Sequence, residues 1–163
     1  TLAMYTATNE EFAKAYLHWF FLIHPAPLPE RLIENDPEGY ALGVMGARSA
    51  GLKPFSKEAL AEYVRCLGLP GCAQGICGDY RASAGIDRDH DSADIEAGRK
   101  LTVPLLAMWG EHGAVGKLLD PLAEWRKVAE DVRGGSLPCG HYIAEEAPEL
   151  LLERALPFLC EDA

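Results

Sequence analysis

The chain has 163 residues, 48% of them hydrophobic and 25% charged, and carries a formal net charge of −10. A chain of this length buries roughly 70% of its unfolded surface, so a sizeable core is expected. The longest apolar runs, Trp19 to Ile23 and Val103 to Trp109, fall well short of the roughly 20 residues that span a bilayer. No membrane partner is therefore expected, and no basic n-region followed by an apolar h-region marks a signal peptide. The acidic field would repel a phosphate backbone, which argues against nucleic acid as a partner. The five cysteines, Cys66, Cys72, Cys77, Cys139 and Cys160, are odd in number and scattered. None pairs with histidine at zinc-site spacing, so no metal is expected, and reduced thiols in a cytoplasmic enzyme fit this usage.

In chain order, Asn9 to Ile23 reads as a helix, with Asn9 as N-cap and Glu10 and Glu11 in its first turn. Phe12, Tyr16, Trp19, Phe20 and Ile23 recur at steps of three and four, giving one apolar stripe. His24-Pro25-Ala26-Pro27-Leu28-Pro29 stops that helix and stiffens an extended connection. A short helix follows over Glu30 to Asn35, and another begins with Asp36 as cap and Pro37 in its first turn. Ser56 caps a helix running to Cys66, Pro70-Gly71 interrupts it, and helix resumes from Cys72 to Ala84. The acidic stretch Gly85 to Arg99, with Ile86 and Ile95 as its aliphatic positions, reads as a solvated connector. The main boundary falls near it.

Beyond that boundary the periodicity changes. Leu101 to Trp109 is a continuous apolar run ending at Gly110, the pattern of a strand buried on both faces of a parallel sheet. Pro104 places the paired region towards its later part. Pro121 to Ala129 reads as helix with Leu122, Trp125 and Val128 on one side. A weaker strand, carrying Gly134 and Gly135, covers Val132 to Leu137. Pro148 to Leu159 closes as an amphipathic helix with Leu151, Leu152, Ala155 and Leu159 inward. The expected class is thus α/β: a mostly helical domain over residues 1–98, then a β-α-β-α edge of a parallel sheet over residues 99–163. The strands that should flank Leu101 to Trp109 are not in this sequence, and without them an apolar sheet edge would be exposed.

Three places could carry chemistry. Pro138-Cys139-Gly140-His141 sets a histidine in a turn after the last strand, where α/β enzymes put their catalytic loops. His141 could serve as general base, or simply cap the next helix. His18-Trp19 offers two adjacent N–H donors suited to a small anion, although periodicity alone reads the pair as part of a core aromatic stripe. Tyr80 could present a phenolic donor to a pocket or pack with its hydroxyl at the rim. A nucleophile is missing: none of Ser49, Ser56, Ser83, Ser92 and Ser136 lies in a Gly-x-Ser-x-Gly elbow. Cys139 is not set on such an elbow either, and no phosphate-binding glycine loop is present.

Ala15-Tyr16-Leu17-His18-Trp19-Phe20-Phe21-Leu22, followed by Pro25-Ala26-Pro27-Leu28-Pro29-Glu30, resembles the cap-domain signature of the fluoroacetate (haloacetate) dehalogenases. Asp79-Tyr80-Arg81-Ala82 and Gly140-His141 extend the likeness in order. The resemblance implies an α/β-hydrolase fragment: a helical cap, inserted in these enzymes after the sixth core strand, and then the last strands of the core. It implies His18, Trp19 and Tyr80 as halide-binding residues and His141 as the catalytic base that activates water. The water hydrolyses an ester formed when an aspartate displaces halide from a small haloacid, with no cofactor. A basic residue often precedes the His-Trp pair in the family, and Lys14 is the candidate here. The Met45-Gly46-Ala47 segment takes the place of a bulky pocket wall.

The nucleophilic aspartate, its arginines and the relay acid belong, by the same resemblance, to core strands outside this sequence. The relay slot some α/β-hydrolases fill after Gly110-Glu111-His112 holds Gly113. Thr1 then reads as a cut just beyond the acid, and residues 1–163 alone are expected to be inactive. The alternatives are an epoxide hydrolase-like enzyme sharing the Asp–His chemistry, or a non-catalytic fragment that needs an N-terminal partner chain. The full-length protein could be a homodimer.

Overall fold

The computed structural model describes residues 2–48 and 50–161. Thr1 and Ser49, both singled out above, lie outside the described residues, as do Asp162 and Ala163. The chain divides into two compact units, Thr1–Ser92 and Ala93–Ala163.

The first unit is helical. It contains α1 (Leu2–Thr6), α2 (Glu10–Ala15), α3 (Leu17–Leu22), α4 (Leu28–Asn35), α5 (Pro37–Gly46), α6 (Lys57–Leu67) and α7 (Cys72–Ala84). Three helix starts follow directly from side-chain caps. Asn9 accepts from the Phe12 amide, Asp36 from that of Gly39 and Ser56 from that of Ala59, each satisfying an amide that a helix N-terminus leaves unpaired. The core gathers buried Leu22, Ile33, Ala73 and Cys77, with Phe21, Tyr40, Leu67, Ile76 and Tyr80 packed around them. Small residues at 73 and 77 let α7 lie close against both α3 and α4.

Three expectations are corrected here. The single helix over residues 9–23 is two helices, broken at Tyr16, whose backbone (φ −126°, ψ 40°) leaves the helical region. Tyr16 is almost fully buried, its ring 5.0 Å from that of Phe12, so core packing turns the chain where spacing alone shows no stop. The Pro-rich segment is less extended than expected, because α4 already begins at Leu28 with Pro29 in its first turn. The acidic connector is a helix, α8 (Ile86–Glu96), which spans the division between the units. Asp87 and Asp89 sit in its first turn, where carboxylates favour a helix dipole. It buries no residue, which is why no apolar stripe announces it.

The second unit contains β1 (Leu105–Gly110), α9 (Val115–Leu118), α10 (Pro121–Val128), β2 (Val132–Leu137), α11 (Ile143–Glu146) and α12 (Pro148–Cys160). The strands pair in parallel, Leu105 opposite Val132 through Gly110 opposite Leu137, so the architecture is α/β as read from the sequence. Pro104 precedes the paired strand, and Asp120 caps α10 through the Ala123 amide. Leu137, Cys139 and Ala147 form the buried centre, with Met108 and Ile143 against them. Burial departs from expectation in two places. β1 is half-buried along most of its length rather than covered on both faces. On α12, Leu152 and Leu159 remain exposed although both were read as inward. Among the described residues no helix is long and apolar enough to cross a membrane, and no group of three or more His, Cys, Asp and Glu could hold a metal ion.

Candidate active site

The break at Tyr16 shapes the first unit's polar cluster. By starting a new helix at Leu17, it groups His18 and Trp19 with residues from three other elements. Tyr80 on α7 meets both rings edge-on, 5.7 Å from His18 at 78° and 5.8 Å from Trp19 at 84°. Tyr16 lies 5.7 Å from His18 and 5.9 Å from Trp19, while Tyr5 on α1 lies 5.0 Å from Trp19. The three residues read as halide-binding are therefore brought together, all half-buried. Edge-on aromatic geometry stabilises such a cluster.

Two members of this cluster escaped the sequence reading. Arg48, just after α5, sets its Nη2 3.1 Å from His18 Nδ1 and 2.9 Å from Nε2. Its guanidinium also lies over the Tyr16 ring, 5.7 Å from the centroid, a cation–π contact. A guanidinium only donates, and here it lies almost equally close to both ring nitrogens of His18. Lys14, the basic residue picked from sequence, points elsewhere: it is exposed on α2 and ion-paired with Glu10. The cation beside His18 comes from 30 residues downstream, next to the Met45-Gly46-Ala47 segment. Tyr5 is the second omission. Its hydroxyl is buried with no hydrogen-bond partner among the described residues. Burial, and then the neighbouring Tyr80, hold the Tyr5 phenol above its ordinary range. Burial does the same for Tyr16, and pushes Tyr40 up to about 12. These three phenols stay protonated donors at neutral pH.

Arg81, next to Tyr80, ties α7 to the proline-rich turn. Its Nη1 donates to Glu30 Oε1 at 2.6 Å, and its Nε and Nη2 donate to the His24 carbonyl at 3.0 and 2.6 Å. Glu30 is only 4% exposed, so removing Arg81 would leave a carboxylate buried without its cation. Arg81→Leu is expected to lower the melting temperature by on the order of 10 °C at neutral pH. The Arg81 hydrogen bond holds the Glu30 carboxyl below its ordinary value of 4.5. A lowered carboxyl stabilises the fold fully above that ordinary value and loses the contribution as pH falls through the lowered one. The gap between parent and Arg81→Leu, followed by circular-dichroism melting, should therefore shrink on going from about pH 7 to about pH 3.

In the second unit, His141 follows β2 in a turn of defined geometry. The Glu146 carboxylate accepts from the Gly140 amide at 2.6 Å and from the Tyr142 amide at 3.1 Å, one on each side of His141. Glu146 was not singled out in sequence, because nothing in its spacing distinguishes it from Glu145. The loop after β1 is sewn to this turn: Glu111 N–H donates to the Leu137 carbonyl at 2.8 Å and His112 N–H to that of Cys139 at 2.9 Å. A Cβ on Gly110 would overlap the Gly140 carbonyl, so the two strand ends approach this closely only with glycine there. Gly113 also lies against His141, whose Cα would be 3.9 Å from a side chain added at 113. Burial, and then Glu146, push the Cys139 thiol up, which keeps it protonated and a poor nucleophile. All five cysteines are free thiols.

A half-buried histidine at the carboxyl end of a parallel strand, held by its own loop, is the site an α/β enzyme would use. No protein-family model matches the chain. A fluoroacetate dehalogenase from Burkholderia sp is 34% identical over 150 residues, 91% of this chain and 49% of that protein. A soluble epoxide hydrolase from Corynebacterium sp. (strain C12) is 39% identical over 105 residues, 64% of this chain and 34% of that protein. Among solved structures, ALR0039 from Nostoc sp PCC 7120, provisionally assigned as an alpha/beta hydrolase, matches with a TM-score of 0.90 and 46% identity. The match covers 98% of this chain and 54% of that one. This chain belongs to the α/β-hydrolases.

As an α/β-hydrolase it spans about half, or less, of the length of the relatives it matches. The β-α-β-α order, the parallel pairing and the histidine-bearing turn are the parts of that fold present here.

Proposed function

We propose that this chain contributes the cap and the base-bearing loop of a hydrolase that cleaves the carbon–halogen bond of small 2-haloacids. The observation that carries the reading is the convergence of His18, Trp19 and Tyr80. An imidazole N–H, an indole N–H and a phenol are donors suited to a leaving halide, and no carboxylate is among them. Halide departure builds negative charge in the transition state, and preorganised donors aimed at that charge lower the barrier. An aspartate supplied by the rest of the protein would attack the halogen-bearing carbon, and the halide would leave with the electron pair of the broken carbon–halogen bond. His141 would then take a proton from a water that attacks the ester carbonyl. The tetrahedral intermediate would then collapse, His141 returning the proton to the departing alkoxide, so that the hydroxyacid leaves and both the aspartate and the base are restored.

The epoxide hydrolase reading is the second one, favoured by the Tyr80 phenol and by the buried Tyr5 hydroxyl, since an opening epoxide needs O–H donors to its oxygen. The test offers the full protein chloroacetate, fluoroacetate and a neutral terminal epoxide. Halide release is followed with an ion-selective electrode and diol formation by chromatography. Halide release that falls about 100-fold on His18→Gln supports the dehalogenase reading. Diol formation without halide release establishes the other.

A further inference from the structure

We propose that Arg48 is a specificity-determining residue of the His18–Trp19–Tyr80 cluster, making it a site for a halide anion rather than for a neutral oxygen. The proposal rests on the haloacid reading and adds the source of the positive charge. His18, Trp19 and Tyr80 can each act as a neutral donor, and neutral donors alone serve an epoxide oxygen and a halide comparably. Arg48 alters that balance through its charge.

Arg48 Nη2 lies 3.1 Å from His18 Nδ1 and 2.9 Å from Nε2, so the cation sits directly against the imidazole. A guanidinium is charged at any working pH, and here it is half-buried beside the rings. Screening by solvent is weaker in such a place than on an open surface. The Tyr16 face beneath the guanidinium, 5.7 Å away, holds it over the cluster. Tyr16 is itself 4% exposed and fixed against Phe12, so the support is rigid.

The experiment titrates sodium chloride, at ionic strength held constant with sodium gluconate, into the full chain carrying Trp109→Phe and Trp125→Phe. Trp19 is then the only indole of residues 1–163, and the part of the fluorescence change that Trp19→Phe removes reads occupancy of the cluster. Arg48→Gln is expected to weaken chloride binding about tenfold or more, and Arg48→Lys to recover most of that loss because it returns the charge. Melting followed by circular dichroism identifies any variant that fails to fold, and Arg48→Met then takes the place of Arg48→Gln. Chloride binding in Arg48→Gln as tight as in the parent overturns the role of Arg48 while leaving the halide cradle in place. A folded parent with no saturable chloride response overturns the cradle and this inference together, and so does a parent response that His18→Gln leaves intact.

Discussion

In the full protein, His141→Gln is expected to stop turnover after a single covalent event. On the haloacid reading, loss of His141 as the base should cut steady-state product formation by about a thousandfold or more. The first half of that reaction would need no base, because its nucleophile would be a carboxylate. The protein should therefore accumulate as an ester and gain the mass of one carboxymethyl group on exposure to haloacetate. Intact-mass spectrometry after a short incubation checks this, with the parent as the unmodified control. One equivalent of halide released in a burst, followed by almost none, is the kinetic counterpart. Glutamine keeps the size of the side chain and leaves the Glu146 bonds to the Gly140 and Tyr142 amides unchanged, so the turn should hold its shape. If His141→Gln turns over at the parent's rate, the histidine after β2 is not the base, and the second unit contributes no chemistry through it.

The second large effect is on stability, and it runs against the residue statistics of strands. Gly134 lies in β2, where a valine would ordinarily be preferred. Its φ is +132°, a region that residues with a Cβ rarely adopt, and an added Cβ would overlap the main chain of Ala107, its partner on β1. Gly134→Val is expected to destabilise the strand pair by about 3–5 kcal/mol, the strain and the overlap acting together. Urea unfolding followed through Trp109, which pairs with Ser136 on β2, would report it. A midpoint shift of less than 0.5 kcal/mol equivalent, the range of an ordinary surface change, would show that β2 relaxes around the side chain.

Gly134 also shows where sequence reading stops. In sequence it only weakened the case for a strand. In the structure it is what allows that strand to lie against β1. The same limit explains Arg48 and Lys14. Sequence proximity favoured Lys14, four residues before His18, but the turn at Tyr16 leaves it on the outer face of α2 with Glu10. Arg48 reaches His18 only because α5 returns the chain to α3, a juxtaposition that no local pattern encodes. The helix at Ile86–Glu96 was missed for a related reason, since none of its residues is fully buried and hydrophobic periodicity has no stripe to detect.

By itself the sequence determined the local features: the caps at Asn9, Asp36 and Ser56, the strands ending at Gly110 and Leu137, the histidine turn after the second of them, and the resemblance that His18-Trp19 and Tyr80 carry. A cap is a bond between residues three apart, and a strand is a short run bounded by turn residues, so both can be read within one window. Only the tertiary structure decided that Tyr16 divides a helix, that Glu146 pins the two amides around His141, and that a guanidinium rather than an ammonium stands beside His18. Each of these depends on which distant groups fill the space around a buried side chain, and packing, not spacing, sets that.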